Sequence, residues 1–227
     1  MGSEGILYVV ATPIGNLQDI TLRAIDTLKE VDLVVAESTA RALKLLSHLG
    51  IRKPITNINS YNEERKSEGL AHKIMEGQSV ALITGAGTPC ISDPGTIFVK
   101  KCLDEGIKVC AVPGPSAATG LVSISGLFVD RFLFYGFLPQ KKGKRRKILE
   151  ELAPFPYPVV FYESPRRLEE TLRDVFAAFG DRMVVVVKEM TKIYETTYRG
   201  NISDVLDMLS DMEKRGEYAF IVDGRAR

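Results

Sequence analysis

Unbroken runs of apolar residues alternate along the first half of the chain with longer segments in which apolar residues recur every three or four positions. The runs cover residues 6–11, 31–36, 55–58, 79–84 and 107–112. A short unbroken run is typical of a strand buried on both faces, whereas the three-to-four spacing predicts an amphipathic helix. Their alternation predicts βαβ units and a mainly parallel sheet with helices on both faces.

Helical spacing is clearest in one segment of this half. Ala42, Leu45, Leu46 and Leu49 lie at positions i, i+3, i+4 and i+7, and Gly50 follows as a C-terminal stop. The other helices predicted here follow a cap at Asp19 and cover residues 63–75 and 94–104.

In the second half of the chain, the apolar runs and the helical segments follow each other in a different order. Apolar runs over residues 183–187 and 193–198 are close enough to pair as a hairpin, which predicts a mixed sheet. Ser164 and Pro165 are a typical N-cap and first-position pair, so we predict that a helix begins there and ends at Gly180. The other predicted elements are strands over residues 131–137, 158–162 and 218–222, a helix after the basic residues 141–147, and a helix from Ser203.

The segment Pro113-Gly114-Pro115-Ser116 interrupts regular structure, because two prolines flank a glycine. We therefore predict an N-terminal α/β domain over residues 1–113 and a C-terminal α/β domain over residues 114–227. The length of 227 residues suits two domains of about this size.

Composition narrows the class of protein. Hydrophobic residues make up 45% and charged residues 26% of the chain, which excludes a disordered chain. Cys90, Cys102 and Cys110 form no CxxC pair, so we expect no disulfide framework and a cytoplasmic location. No apolar run reaches the roughly 18 residues that a membrane helix requires, so we expect no membrane partner.

Several common chemistries find no support in the sequence. His48 and His72 have no neighbouring Cys or His, so we predict neither a metal site nor histidine-driven catalysis. The patterns GxGxxG, GxxxxGK[ST] and HExxH are absent, as is GxSxG with a usable histidine. Dinucleotide, P-loop, zincin and serine-hydrolase functions are therefore excluded.

Three loops of small residues each follow a predicted strand directly, over residues 12–16, 84–89 and 113–117. Ligands of open α/β sheets bind at the carboxyl ends of the strands, and small residues let the backbone approach them. Each loop alone is explained by a simple turn. Together they predict a site for a small ligand that is recognised largely by backbone groups.

One short segment concentrates positive charge. The net charge is only +1, but residues 141–147 hold six cations, which is typical of nucleic-acid contact. The alternative is a solvated helix start balanced by Glu150 and Glu151. Cations at a helix N-terminus oppose the helix dipole, which favours another purpose. The predicted RNA contacts are Lys141, Lys142, Lys144, Arg145, Arg146, Lys147, Arg166 and Arg167, with Arg199 as an extension.

Ordered motifs run from about residue 7 to residue 222. Residues 10–17 read VATPIGNL, 86–95 read AGTPCISDPG, 113–117 read PGPSA, 136–139 read GFLP and 161–165 read FYESP. In this order they resemble the motifs of the ribosomal RNA small-subunit methyltransferase I family. That family lies within the tetrapyrrole-methylase-like class of S-adenosylmethionine-dependent enzymes.

The resemblance implies a two-domain α/β fold with S-adenosylmethionine bound in a cleft between the domains. It implies methylation of the ribose 2′-hydroxyl of a decoding-centre cytidine in 16S rRNA, within the small ribosomal subunit. It also implies a homodimer. The residues implied in cofactor binding are Pro13, Ile14, Gly15, Thr84, Gly85, Ala86, Gly87, Thr88, Ser116, Ala117, Tyr162, Met190 and Tyr218.

The chain departs from the family pattern at five positions. Thr84 and Gly85 replace a serine and an aspartate, Ser38 and Ala40 replace an aspartate and an arginine, and Arg166 replaces a histidine. Loss of a charged hydrogen bond to the cofactor costs about 1.5–3 kcal/mol. Two alternatives therefore stay open, a divergent RNA-binding relative with weak or no catalysis and a methyltransferase of tetrapyrroles. The cationic segment favours RNA over the tetrapyrrole.

Methyl transfer depends mainly on in-line positioning of the reacting atoms. A ribose hydroxyl is a weak nucleophile, so a base or a cation near it helps the reaction. Glu189 and Lys192 lie close together, and our hypothesis is that one of them assists deprotonation. The alternative is an ordinary ion pair in a hairpin.

Overall fold

A computed structural model describes residues 5–210 and 215–224. The chain divides into two compact units, Met1–Ser116 and Ala117–Arg227. The observed division follows Ser116, whereas the predicted one follows Pro113. Each unit has its own sheet and its own cores.

The first unit is built on a parallel five-stranded sheet of order β3-β2-β4-β1-β5. Its apolar runs form the strands, as the sequence predicts. The elements are β1 (Ile6–Val10), α1 (Leu22–Glu30), β2 (Leu33–Ala36), α2 (Thr39–His48), β3 (Ile55–Asn57), α3 (Glu63–Met75), β4 (Val80–Ile83), α4 (Thr96–Asp104) and β5 (Lys108–Val112).

Every residue of the central strands β2 and β4 is buried, because helices cover both faces of this sheet. On one face Leu82 packs in a core with Ile74 of α3 and Phe98 of α4. On the other face Ile83 packs in a core with Leu28 of α1 and Leu46 of α2. The predicted mainly parallel α/β arrangement is confirmed.

The predicted cap at Asp19 is wrong. Asp19 lies in a short 3₁₀ turn, Leu17–Asp19, and α1 is capped by Thr21, whose Oγ1 accepts a hydrogen bond from the Ala24 N–H at 3.1 Å. The cap therefore lies two residues later than the prediction. The α3 helix has the predicted bounds, and Gly50, with φ +68°, follows the end of α2 as expected.

The second unit has a mixed five-stranded sheet of order β6-β7-β10-β8-β9. Strands β6 and β7 are parallel and the other pairs are antiparallel. The elements are α5 (Ala117–Ile124), β6 (Leu133–Phe137), α6 (Lys142–Leu152), β7 (Val159–Glu163), α7 (Leu168–Phe179), β8 (Met183–Lys188), β9 (Thr196–Asn201), α8 (Ile202–Leu209) and β10 (Tyr218–Val222).

Alternate residues of this sheet face two different cores. Phe161 and Phe220 pack with helices α6, α7 and α8 in the larger core. Val160 and Ile221 face the smaller core, which contains Leu121 of α5. The larger core will be called the main core and the opposite side the α5 face.

Two sequence predictions in this unit are wrong in detail. The second hairpin strand is Thr196–Asn201 rather than residues 193–198, because a turn with left-handed residues at Glu189 and Thr191 intervenes. Helix α7 begins at Leu168 rather than at Ser164. Ser164 does not cap it, because the N-cap position is Arg167; the Ser164 N–H and hydroxyl instead donate to the Glu163 carboxylate, at 2.7 and 3.3 Å.

In the part of the chain that the structure describes, no helix is both long enough and apolar enough to cross a membrane.

Candidate functional site

The carboxyl ends of the parallel strands meet at one edge of the first unit, and the three predicted loops begin there. Thr12 and Gly87 are joined by two backbone hydrogen bonds of 2.8 and 3.0 Å. The Thr12 hydroxyl donates toward the carbonyls of Thr84 and Gly87 at 3.3 and 3.4 Å. The Thr88 hydroxyl reaches the Pro115 carbonyl at 3.5 Å. Loops that are distant in sequence therefore form one cluster.

Gly87 is required at the centre of this cluster. Its φ is +81°, a left-handed conformation that disfavours any side chain. A Cβ at this position would lie 3.3 Å from Cγ2 of Ile14 and 3.8 Å from the Pro115 carbonyl oxygen. The backbone of residue 87 thus packs directly between two of the other predicted cofactor loops. Of the remaining predicted residues, Ala86 precedes Gly87, Pro13 and Gly15 flank Ile14, and Ser116 follows Pro115 in the chain.

Two carboxylates lie at the same edge. The Thr84 hydroxyl donates to Oε2 of Glu37 at 3.3 Å. Asp93 is held close to the same threonine, and its pKa is raised by burial and by the Glu37 charge, against the opposing effects of a Thr84 hydrogen bond and of Arg41. The predicted site residues do not include Asp93. Its place in a loop that follows a buried strand is the signal that would have found it.

Arg41 fills the space left by the absent side chain at Gly85. A Cβ on Gly85 would lie 2.5 Å from Nη1 of Arg41 and 3.3 Å from Oε2 of Glu37. Charged groups therefore occupy the place where the family that the motifs resemble usually has an aspartate. Arg41 belongs to α2 and reaches this position only through the tertiary fold, so the spacing of the motifs does not indicate that it lies here.

The loop that holds Asp93 is strained and firmly anchored. Cys90 and Ser92 both have positive φ, of 68° and 61°. Oε1 of the buried Glu63 accepts hydrogen bonds from the N–H groups of Gly95, Ile97 and Phe98 at 2.7–3.1 Å, so the start of α4 is fixed by an internal carboxylate. Strain of this kind concentrates at functional sites.

In the second unit, three of the predicted cofactor residues lie on the α5 face. Ala117 is the first residue of α5. Tyr162 and Met190 pack against the core of that face, and a Cβ on Gly120 of α5 would lie 3.1 Å from Sδ of Met190. Gly120 thus allows Met190 to approach the helix closely.

The structure does not bring the Tyr218 side chain to this face. Side chains alternate along β10, so Tyr218 packs in the main core with Phe220, whereas Ala219 packs on the α5 face. The Tyr218 side chain is only 6% exposed. Burial and the nearby Glu189 charge raise the pKa of its hydroxyl.

Glu189 and Lys192 belong to a fixed ion-pair cluster. Nζ of Lys192 lies 2.9 Å from Oε1 of Glu189 and 2.9 Å from Oε2 of Glu217, and the Glu217 N–H donates to Oε1 of Glu189 at 2.8 Å. Burial opposes the charge on Glu189, but the bonds from Lys192 and Glu217 outweigh it and lower the pKa. Burial likewise opposes the charge on Lys192, and its bonds to the two carboxylates raise the pKa.

The predicted RNA-binding segment is not uniformly exposed. Arg145 is 1% exposed. Its Nε and Nη2 donate to Oδ2 of Asp174 at 2.8 and 2.6 Å, and Nη2 also donates to Glu170 at 2.7 Å. The Arg145 side chain therefore joins α6 to α7 and is not available to RNA. Arg146, half exposed, donates to Oδ1 of Asp174 at 2.8 Å.

Arg167 is also engaged within the protein. Its guanidinium binds both oxygens of the buried Glu163, at 2.8 and 2.9 Å, and donates to the Leu138 carbonyl at 3.0 Å. Arg199 donates to the Ser125 carbonyl at 3.2 Å. Within residues 5–210 and 215–224, the predicted cations that are exposed and have no carboxylate within 4.0 Å are Lys141, Lys142, Lys144, Lys147 and Arg166.

Comparison with known protein families gives one match that covers most of the chain. Residues 6–206 match the family model described as tetrapyrrole (corrin/porphyrin) methylases.

Similar proteins cover nearly the whole chain. A Thermotoga maritima protein named ribosomal RNA small subunit methyltransferase I is 43% identical over 221 residues, which are 97% of this chain and 99% of that protein. An Escherichia coli O157:H7 protein of the same name is 44% identical over 225 residues, which are 98% of this chain and 79% of that protein.

Solved structures support the fold. Uroporphyrin-III-C-methyltransferase from Thermus thermophilus superposes with a TM-score of 0.68 at 19% identity, over 96% of this chain and 94% of that one. A diphthine synthase superposes with a TM-score of 0.70 at 13% identity, over 97% and 90%. At these identities the likeness concerns the fold alone.

Proposed function

The chain belongs to the tetrapyrrole methylase family, and from that membership we propose that it is an S-adenosylmethionine-dependent methyltransferase that acts on small-subunit ribosomal RNA. The observation that carries the proposal is the 43% identity, along almost the full length of both chains, to a protein named for that activity. The uroporphyrin methyltransferase shares the fold at only 19% identity, so it does not favour a tetrapyrrole substrate.

The loop cluster of the first unit suits the proposed cofactor. Backbone groups and threonine hydroxyls converge there, and the glycine at position 87 leaves no side chain between the loops. Glu37 and Asp93 place two carboxyl groups beside Thr84, with the Arg41 guanidinium also at this position, and a carboxylate here suits a cofactor that carries a sulfonium and an ammonium group. Thr84, Gly87 and Thr88 would hold S-adenosylmethionine, which when bound supplies an electrophilic methyl group.

Exposed positive charges on the second unit support RNA as the substrate. Lys141, Lys142 and Lys144 are exposed at the start of α6, and Arg166 is exposed just before α7. Exposed cations bind phosphates by releasing counterions, so they provide affinity for RNA without sequence preference. A tetrapyrrole offers no comparable chain of phosphates.

The role of Glu189 and Lys192 follows from their charges. The lowered pKa of Glu189 makes its carboxylate a weaker base, and the raised pKa of Lys192 keeps its amino group protonated at neutral pH, so neither is a ready acceptor of a proton from the ribose hydroxyl. We assign Lys192 the role of a fixed positive charge that favours the developing alkoxide, with Glu189 as the residue that positions it. The acceptor would be the 2′-hydroxyl of a cytidine.

Calorimetry with S-adenosylmethionine tests the cofactor site. Gly87→Ala is expected to weaken binding at least tenfold, because the added Cβ meets Ile14 and φ is positive. Gly106→Ala is the matched control, since Gly106 also has positive φ, +72°, but has no atom within 4 Å of the added Cβ. Equal affinity in the two variants would contradict the proposed cofactor site.

A methyl-transfer assay tests which molecule is the substrate. The purified protein is incubated with methyl-labelled S-adenosylmethionine and small ribosomal subunits, free 16S rRNA, large subunits or uroporphyrinogen. We expect label in small-subunit RNA, recovered as 2′-O-methylcytidine. Cofactor binding without any transfer to RNA would favour the divergent, non-catalytic alternative, and transfer to uroporphyrinogen would favour the tetrapyrrole enzyme.

A further inference from the structure

Strand β6 is interrupted by a bulge. Phe134 lies opposite Val160 of β7, but Gly136 lies opposite the next residue, Phe161, so Tyr135 is an extra residue in β6. Gly136 has a φ of +79°, the left-handed conformation that glycine adopts at least cost. Bulges of this type change the direction of the side chains that follow them, and they are frequent near functional sites.

The bulge moves Phe137 out of the main core. Uninterrupted alternation would place Phe137 on the same face as Tyr135, which packs against the main core. Instead Phe137 lies opposite Tyr162, on the α5 face, with the two ring centroids 5.7 Å apart at an angle of 66°. The Phe137 side chain is left 55% exposed. A large aromatic ring is therefore presented to solvent, supported from one side by Tyr162.

The ring lies at the edge where positive charge is concentrated. Strands β6 and β7 are parallel, so both end at this edge and the segments that lead into α6 and α7 begin there. Arg167 ties the two segments together, since Nη2 donates to the carbonyl of Leu138, the residue after Phe137. Lys141 and Lys142 follow on one segment, and Arg166 lies on the other.

We propose that Phe137 is a stacking platform for an unpaired base of the RNA substrate, with Lys141, Lys142, Lys144 and Arg166 contacting the phosphates of the same strand. Exposed aromatic rings among cations bind single-stranded RNA, because every base offers a flat face. Paired bases are stacked on each other and do not reach such a ring. The inference rests on the proposed function and adds a preference for unpaired RNA.

The absence of tryptophan from the chain provides a direct test. The Phe137→Trp variant keeps an aromatic ring at the platform and makes it the only tryptophan of the protein. Phe128→Trp is the matched control, since Phe128 is a fully exposed phenylalanine of the same unit outside the cationic edge. A short single-stranded RNA is expected to quench the emission of the Phe137→Trp variant and to leave that of Phe128→Trp unchanged.

Three further titrations of the Phe137→Trp variant identify what stacks on the ring. An abasic oligonucleotide with the same number of phosphates, and an RNA duplex, are expected to quench much less than the single strand. S-adenosylhomocysteine alone is expected to cause no quenching. Quenching by S-adenosylhomocysteine to the same extent as by RNA would overturn the proposal, because the ring would then belong to the cofactor site.

Affinity measurements complete the test. Phe137→Ala should weaken binding of single-stranded RNA by roughly 5- to 150-fold, the loss typical of one stacked base, and Phe137→Tyr should preserve it. The salt dependence should not change, because no phosphate contact is removed. Unchanged affinity in Phe137→Ala, or RNA binding without quenching in Phe137→Trp, would overturn the proposal. Methyl transfer by the unmodified protein is measured in parallel, and its absence would contradict the proposed function instead.

Discussion

Two adjacent cations of the basic segment are expected to have opposite roles. Lys144 is exposed, without a carboxylate within 4.0 Å among the described residues, whereas Arg145 is buried against Asp174 and Glu170. We predict that Arg145→Met destabilises the protein and leaves RNA binding by the folded protein intact. Lys144→Met should leave stability intact and weaken RNA binding.

The size of each effect follows from the surroundings of each side chain. Removing one partner of a buried ion pair leaves a charge without compensation, which costs about 3–5 kcal/mol. Arg146 still binds Asp174 in the Arg145→Met variant, so we expect the lower end of that range. Exposed positions such as Lys144 contribute less than about 0.5 kcal/mol. Loss of one phosphate contact lowers the salt slope of single-strand binding by about 0.7.

Urea unfolding, followed by circular dichroism, measures the stability of both variants, and RNA binding is measured at several salt concentrations under folding conditions. The double variant Arg145→Met with Asp174→Leu should recover part of the lost stability, because it removes both buried charges. A loss of less than about 1 kcal/mol in Arg145→Met, together with a reduction of the salt slope as large as that of Lys144→Met, would show that Arg145 contacts RNA rather than the protein interior.

Three other predictions follow from the same contacts. The pKa of Asp174 is lowered by its hydrogen bonds from arginine despite burial, so its stabilising contribution should be complete above about pH 4 and lost as the pH falls through the lower pKa of the folded state. In a plot of the urea midpoint against pH, Asp174→Asn should therefore reduce the decrease on the acid side. Glu189→Gln should slow methyl transfer without changing S-adenosylmethionine affinity, and unchanged turnover would rule out the role assigned to the cluster. Gly216→Ala should cost about 1–3 kcal/mol in urea unfolding, because its φ is +97° and the Cβ would lie 2.9 Å from Cγ of Glu189; a neutral effect would speak against the strained turn.

Local pattern was enough to predict most of the strands and helices. The run at residues 79–84 contains β4, and the residues of α3 were predicted without error, because buried strands and amphipathic helices repeat with different periods. Those elements also place the three loops at the carboxyl edge of the first sheet. The parallel order of that sheet then brings the loops together.

Features that depend on tertiary contacts were not predicted. The sequence of cations does not distinguish Arg145 from Lys144, although Arg145 lies four residues before the buried Leu149 and so shares its helix face. The occupation of the Gly85 position by Arg41 depends on how α2 approaches β4. The bulge at Gly136 has no periodic signal, because one extra residue reverses the alternation after it.

The most direct test of the proposed activity is a map of ribose methylation on 16S rRNA, compared between cells that make this protein and the same cells with its gene deleted. We predict that one 2′-O-methylcytidine of the decoding centre is lost without the protein and restored by the purified protein with S-adenosylmethionine. An unchanged methylation map, or restoration that does not depend on S-adenosylmethionine, would contradict the proposed activity.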